Sequence, residues 1–292
     1  MFKPDHCSPG NDNNISCIEL PLLKKIAKIL NQQPECSPIN INSKQQLYNQ
    51  IKKEMNKISD CDSESCWILE DKIKNNLSKH EYEMLMDEFR PIEPLSWVKN
   101  ETEWLNTNDI NNVMEQYEIK YPDFKFMGAN PIDFNVKLNN RCNGGGELCK
   151  IKINDLKKKS IHKIGMVFNI DPSNKPGQHW FSLYVDLKGI NRKNIPTIYY
   201  FDSAKKINKG NLERIIPKEI QEFVTILQNQ DKKLKFLFND KKHQYKNTEC
   251  GIYCLHFLTE MLQGKSFRKY VNQKLNDKNM EELRSKFFIE RK

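Results

Sequence analysis

Four short apolar runs constrain this chain most: residues 161–170 (IHKIGMVFNI), 179–187 (HWFSLYVDL), 197–202 (TIYYFD) and 235–239 (KFLFN). Each alternates or stays apolar over five to ten residues and is bounded by Asn, Pro or Gly, which is the pattern of strands in one sheet. Residues 211–228 have helical periodicity and fall between the third and fourth runs. Helical patterns at 251–263 and 278–288 follow the last. Clustered strands with peripheral helices make an α+β domain.

Upstream the character changes. Residues 20–31 (LPLLKKIAKILN) place Leu20, Leu23, Ile26, Ala27 and Leu30 on one face, and two more helices are expected at 44–57 and 63–76, the latter capped by Ser63. Pro91 and Pro94, three apart, read as a linker. The division is therefore drawn at residue 92: 1–92 a helical extension that binds substrate or partner, 93–292 the main domain. A helix begins after Thr107 or Asn108, and residues 139–146 (NNRCNGGG) read as a loop. No internal repeat is visible.

Composition narrows the class. The hydrophobic share of 38% supports a real core, and Gly 11 with Pro 13 excludes collagen-like and Gly/Pro-rich disordered chains. No apolar run spans a membrane, and the opening MFKPDHCSPG lacks the apolar core of a secretory signal. Nine cysteines, an odd number, argue against a disulfide framework and for reduced thiols in an intracellular setting. The net charge of +9 is mild. Six lysines with two phenylalanines in residues 232–246 read as a solvated strand face, leaving nucleic acid weakly supported as a partner.

The chemistry gathers around residues 244–258. Cys250 directly precedes the apolar-periodic run of Ile252, Leu255 and Leu258, so it opens a helix, where unpaired N–H groups favour thiolate. Gly251 leaves room for substrate to approach the sulfur. A nucleophilic cysteine needs a base and a group to orient that base. His179 opens one strand and Asp202 closes the next, which puts them side by side if the strands are neighbours. Gln244, six residues ahead of the cysteine, is placed to donate its amide to an oxyanion. Each residue alone has a plainer reading: a packed thiol, a structural histidine, a turn aspartate. Their joint arrangement does not.

The segments His179-Trp180, Asp202, Gln244 and Cys250-Gly251-Ile252-Tyr253 resemble the cysteine proteases of the SUMO-protease/adenain group, which includes ubiquitin-like-protein proteases and adenovirus and asfarvirus proteinases. That family runs His, Asp or Asn, Gln, Cys along the chain, with Trp after the His and Gly after the Cys. Glu103-Trp104-Leu105-Asn106-Thr107 resembles its Trp-Leu-Asn-Asp segment, with Thr107 replacing the acid that faces SUMO's basic surface. The resemblance covers roughly residues 97–264. It implies a papain-like core, a Cys250–His179–Asp202 triad with Gln244 in the oxyanion hole, and Trp104 and Trp180 walling a narrow Gly-Gly tunnel.

The expected activity is thiol proteolysis after Gly-Gly or Gly-X. The substrate is ubiquitin or a ubiquitin-like modifier, alternatively a viral structural polyprotein; an inactive modifier-binding module is the third reading. The helical extension is similar in layout to asfarvirus and giant-virus members, so host cytoplasm, nucleus or virion is the implied location. No cofactor or metal is expected: His6, Cys7, Cys17, Cys36, Cys61 and Cys66 lack regular ligand spacing. Cys254, one turn after Cys250, is expected to be a buried thiol, and His243 a bystander.

Overall fold

The computed structural model describes residues 6–138, 141–143 and 147–291. They form two compact units: residues 1–98 with 285–292, and residues 99–284. The division falls at 98/99 instead of 92/93, and the last eight residues belong with the first unit. The expected linker is part of that unit: Phe89 is fully buried and bridged to Cys7, while Ile92 pairs with Ile289.

The first unit contains α1 (Leu20–Leu30), α2 (Lys44–Ile58), α3 (Glu64–Trp67), α4 (Asp71–Lys74) and α5 (Lys79–Asp87). The expected helices at 20–31 and 44–57 are present. That at 63–76 is broken into two single turns, and Ser63 makes no side-chain cap. Helix α5 was not anticipated, although Ser78 and Glu81 form a reciprocal capping box at its start. Leu23, Ile26 and Leu30 of α1 pack with Leu47, Ile51, Trp67 and Phe89 in one core.

The second unit begins with α6 (Thr107–Lys120), held by the Asn106–Asp109 capping box. Strands β1 (Phe124–Pro131), β4 (Lys163–Asn169), β5 (Trp180–Asp186), β6 (Thr197–Phe201) and β7 (Lys235–Phe238) make one sheet in that order. The outer pairs are parallel and the two inner pairs antiparallel. All four expected strands are present. The unexpected β1 carries Gly128 and Asn130, which break the alternation that identifies strands. Its ladder shifts register between Phe126 and Ala129, where Gly128 has φ +86°.

The short strand β2 (Lys137–Leu138) precedes the expected 139–146 loop and pairs with β3 (Arg141–Cys142) inside it; residues 139, 140 and 144–146 lie outside the described residues. Helices α7 (Ile153–Lys158), α8 (Leu212–Ile215), α9 (Lys218–Gln230), α10 (Cys250–Leu262), α11 (Phe267–Val271) and α12 (Asp277–Phe287) complete the chain. The expected helix at 211–228 is interrupted by Pro217, which separates α8 from α9. One sheet face buries Met166, Phe168, Phe181, Leu183 and Tyr200 against Phe223 and Leu227 of α9. On the other, Phe201 stacks on Phe257 of α10. Phe236 and Phe238 of β7 lean on the core, consistent with a solvated strand face for the lysines around them.

Cysteine pairing departs from the expectation of reduced thiols. Cys7–Cys17, Cys61–Cys66 and Cys142–Cys149 are disulfides, at sequence separations of 10, 5 and 7. Such local pairs tie small loops, so neither the total number of cysteines nor their overall spacing exposes them. Cys36, Cys250 and Cys254 remain unpaired. No helix among the described residues is long and apolar enough to cross a membrane.

Candidate active site

Antiparallel pairing of β5 and β6 sets Ser182 opposite Phe201, so the start of one strand and the end of the other lie at the same sheet edge. His179 and Asp202 flank that edge, and His179 Nε2 stands 2.7 Å from Asp202 Oδ1. The carboxylate is itself held. Its Oδ1 accepts the Ala204 N–H at 3.0 Å, and the Asp202 N–H donates to Asn239 Oδ1 at 2.9 Å. Asn239, fully buried, returns its amide to the carbonyls of Asp202, Lys205 and Lys241.

Cys250 is the first residue of α10, where the helix exposes its unpaired N–H groups. Burial alone pushes the His179 imidazolium pKa down; hydrogen bonds to Asp202 and to the Cys250 sulfur outweigh it, raising the pKa to about 10. His179 therefore holds its proton across the neutral range. Cys254, buried one turn later, has its thiol pushed well above the usual range by burial and stays protonated. The His243 ring packs on Phe201, and burial followed by the Lys241 charge lowers its pKa, keeping it neutral and apart.

Gln244 is buried and fully oriented. Its Oε1 accepts the Ser203 hydroxyl at 2.6 Å, and one Nε2–H donates to Lys246 O at 2.8 Å, leaving the second N–H. Asp277 Oδ2 accepts the N–H groups of Tyr245 and Lys246, both at 2.9 Å, pinning the same loop.

The two tryptophans take different positions. Trp180 is buried and donates Nε1–H to Leu105 O at 2.8 Å, whereas Trp104 is 40% exposed. Both line an open cleft of about 460 Å³ with Gly177, Asn169 and Asp171. Cys250 is not in its lining and is itself buried. The space beside Gly251 is not open to substrate: a Cβ there would lie 2.9 Å from Leu105, so glycine lets the segment after Trp104 close on α10.

A buried ion pair went unnoticed in the sequence. Arg284 grips both carboxylate oxygens of Glu249, with Nε 2.9 Å from Oε2 and Nη2 2.8 Å from Oε1, and donates from Nη2 to Glu103 O at 2.9 Å. It thereby joins the residue before Cys250 to the residue before Trp104. Burial raises the Glu249 pKa, which Arg284 opposes. The acid adjoining Cys250 was the only sequence signal. The two three-residue groups of metal-ligating side chains, His6/Cys17/Glu64 and Cys61/Cys66/Glu70, both lie in the first unit.

The chain is 29% identical over 300 residues to a protein of Acanthamoeba polyphaga mimivirus named as a thiol protease, covering 97% of this chain and 92% of that one. It is 26% identical over 280 residues to the cysteine protease of African swine fever virus, covering 90% and 98%. The crystal structure of the African swine fever virus protease superposes with a TM-score of 0.70 at 21% identity, over 99% of this chain and 98% of that one, so both have the same α+β fold. Residues 119–292 match the Ulp1 protease family, C-terminal catalytic domain, and the chain belongs to that family of cysteine proteases.

Proposed function

We propose that Cys250, His179 and Asp202 form a catalytic triad that hydrolyses the bond after a Gly-Gly or Gly-X sequence, releasing a ubiquitin-like modifier from its conjugates. The observation that carries this is the 2.7 Å contact of His179 with Asp202, together with Cys250 as the first residue of α10. The thiolate attacks the carbonyl carbon. The Cys250 backbone N–H and the second N–H of Gln244 receive the oxyanion. The tetrahedral intermediate collapses as His179 gives its proton to the leaving amine, forming a thioester. His179 then takes a proton from water, which attacks the thioester, and the modifier leaves with a free carboxylate while the thiolate–imidazolium pair returns.

We assign glycine specificity to Trp104 and Trp180, which line one cleft, because a chain without side chains passes between two indole rings most easily. Several African swine fever virus relatives carry the name SUMO-1 cysteine protease, which favours a modifier as substrate. The full-length match to viral proteases includes the helical unit, and we assign that unit to substrate selection.

The test is a panel of ubiquitin, SUMO and related modifiers bearing a C-terminal electrophile. The expected result is a covalent adduct with one of them that disappears in Cys250→Ala. Cleavage of a Gly-Gly-X peptide without any modifier adduct would replace this reading with polyprotein processing. Adduct formation in Cys250→Ala would remove the triad assignment.

A further inference from the structure

The proposed triad uses none of the chemistry gathered around Cys17. Residues 6–8 lie along 88–90: Cys7 bridges Phe89, the Ser8 N–H donates to Glu88 O at 2.9 Å, and the Arg90 N–H donates to His6 O at 3.1 Å. The His6 ring stacks on Phe89 at 5.8 Å between centroids. Held this way, His6 Nε2 stands 3.2 Å from Oε2 of Glu64. The same oxygen accepts the Cys17 N–H at 2.9 Å.

Glu64 itself is fully buried, and its other oxygen, Oε1, has no hydrogen-bond partner among the described residues. An unsatisfied buried acceptor costs about 1–3 kcal/mol, more when charged, so a carboxylate kept here calls for a partner. The groups around it are metal ligands. One ligand atom from each of His6, Cys17 and Glu64 lies within 4.8 Å of the others. Cys7, buried and bonded to Cys17, lies outside that group and becomes a fourth ligand once reduction frees its side chain to turn.

We propose that, when the Cys7–Cys17 disulfide is reduced, His6, Cys7, Cys17 and Glu64 bind a zinc ion. Two equivalents of a glutathione-class thiol convert the disulfide to two thiols and are themselves oxidised to one disulfide. Zn²⁺ then displaces both thiol protons to water and is held by two thiolates, an imidazole nitrogen and a carboxylate oxygen. Tetrahedral zinc ligands at about 2.0–2.3 Å from the metal stand roughly 3.5 Å apart, a spacing that His6 Nε2 and Glu64 Oε2 already meet at 3.2 Å. Sulfur, nitrogen and oxygen in this mixture suit zinc over magnesium or calcium. The two states exclude each other, because a sulfur in the disulfide is no thiolate. The N-terminal segment is thus tied down by a covalent bond under oxidising conditions and by a metal under reducing ones. The second group, Cys61, Cys66 and Glu70, has three ligands and no histidine, and serves as the internal control.

The experiment uses the full chain carrying Cys250→Ala, so that the active-site thiol takes no metal. The protein is reduced with a thiol, desalted without oxygen and titrated with Co²⁺, followed by displacement with Zn²⁺. The expected result is one equivalent of tetrahedral cobalt with a sulfur-to-metal charge-transfer band, absent from the oxidised protein and lost in Cys17→Ser. His6→Ala, at a partly exposed side chain, and Glu64→Gln should each weaken zinc binding roughly tenfold or more. A Cys61→Ser/Cys66→Ser variant should bind as before. Unchanged affinity in His6→Ala and Glu64→Gln, a sulfur-free octahedral spectrum, or loss of binding only in the Cys61/Cys66 variant would overturn the site.

Discussion

Residues 99–284 are organised by a five-stranded sheet that joins segments far apart in the chain, whereas residues 1–98 with 285–292 combine short helices, two local disulfides and a returning C-terminal segment. The contrast extends to cysteine. The sheet-containing unit keeps Cys250 and Cys254 unpaired, while the helical unit ties up four of its five cysteines. The sheet-containing unit has one disulfide, Cys142–Cys149, and its sheet, buried on both faces, supports the site with Cys250 and Cys254 free. A unit of about a hundred residues built from helices without a sheet gains proportionally more from a staple.

Several measurements break or sharpen that comparison. Cys250→Ala should lower turnover by roughly 10⁵–10⁶-fold while circular dichroism and the melting of both units stay unchanged. Retained turnover would move the nucleophile elsewhere.

Asp202→Asn should lower kcat/KM by roughly 10²–10⁴-fold. It should also move the alkaline limb of the pH profile down, because the Asp202 contact helps hold the His179 pKa at about 10. The matching stability effect has a definite sign. A pKa raised from 6.5 contributes stability fully present below pH 6.5 and lost as pH rises through about 10. The variant should lose that contribution at lower pH, as denaturant titrations across the range will read.

Arg284→Ala and Phe288→Ala probe the two units from positions four apart in sequence. Removing Arg284 strands the buried Glu249 carboxylate, at a cost of about 3–5 kcal/mol, and should lower kcat as well because Glu249 adjoins Cys250. Removing Phe288, which packs edge-on against Trp97 at 5.1 Å, should destabilise by about 3–5 kcal/mol without changing the rate at which Cys250 reacts with a small electrophile. Equal kinetic effects in both variants would abolish the distinction between the units.

Opening Cys61–Cys66 by Cys→Ser substitution should have the smallest effect, about 2–3 kcal/mol on the helical unit, with activity on a small electrophile retained. Inactivation would make that unit part of the catalytic machinery.

Much of the fold is legible because its signals are local. The 3.6-residue period of Leu23, Ile26 and Leu30, the apolar runs at 161–170 and 179–187, and the caps around Asn106 each depend on a few neighbouring residues. The order His179, Asp202, Gln244, Cys250 is likewise readable, because strand ends and a helix start bring the first, second and fourth to one place. Strand β1 escaped because Gly128 and its bulge disrupt the alternation, and the 63–76 helix because two turns separated by Ile68–Glu70 share the period of one.

Sequence alone thus determined the α+β class, four of the five strands of the main sheet, and the long helices. Tertiary structure decided that Arg284 clamps Glu249 and Glu103, that Leu105 fills the space beside Gly251, that residues 285–292 return to the helical unit, and which cysteines pair. The physical reason is range. Periodicity and capping act within a turn or a strand, whereas each of these contacts joins segments with no mutual pattern until the folded chain brings them within a few ångströms.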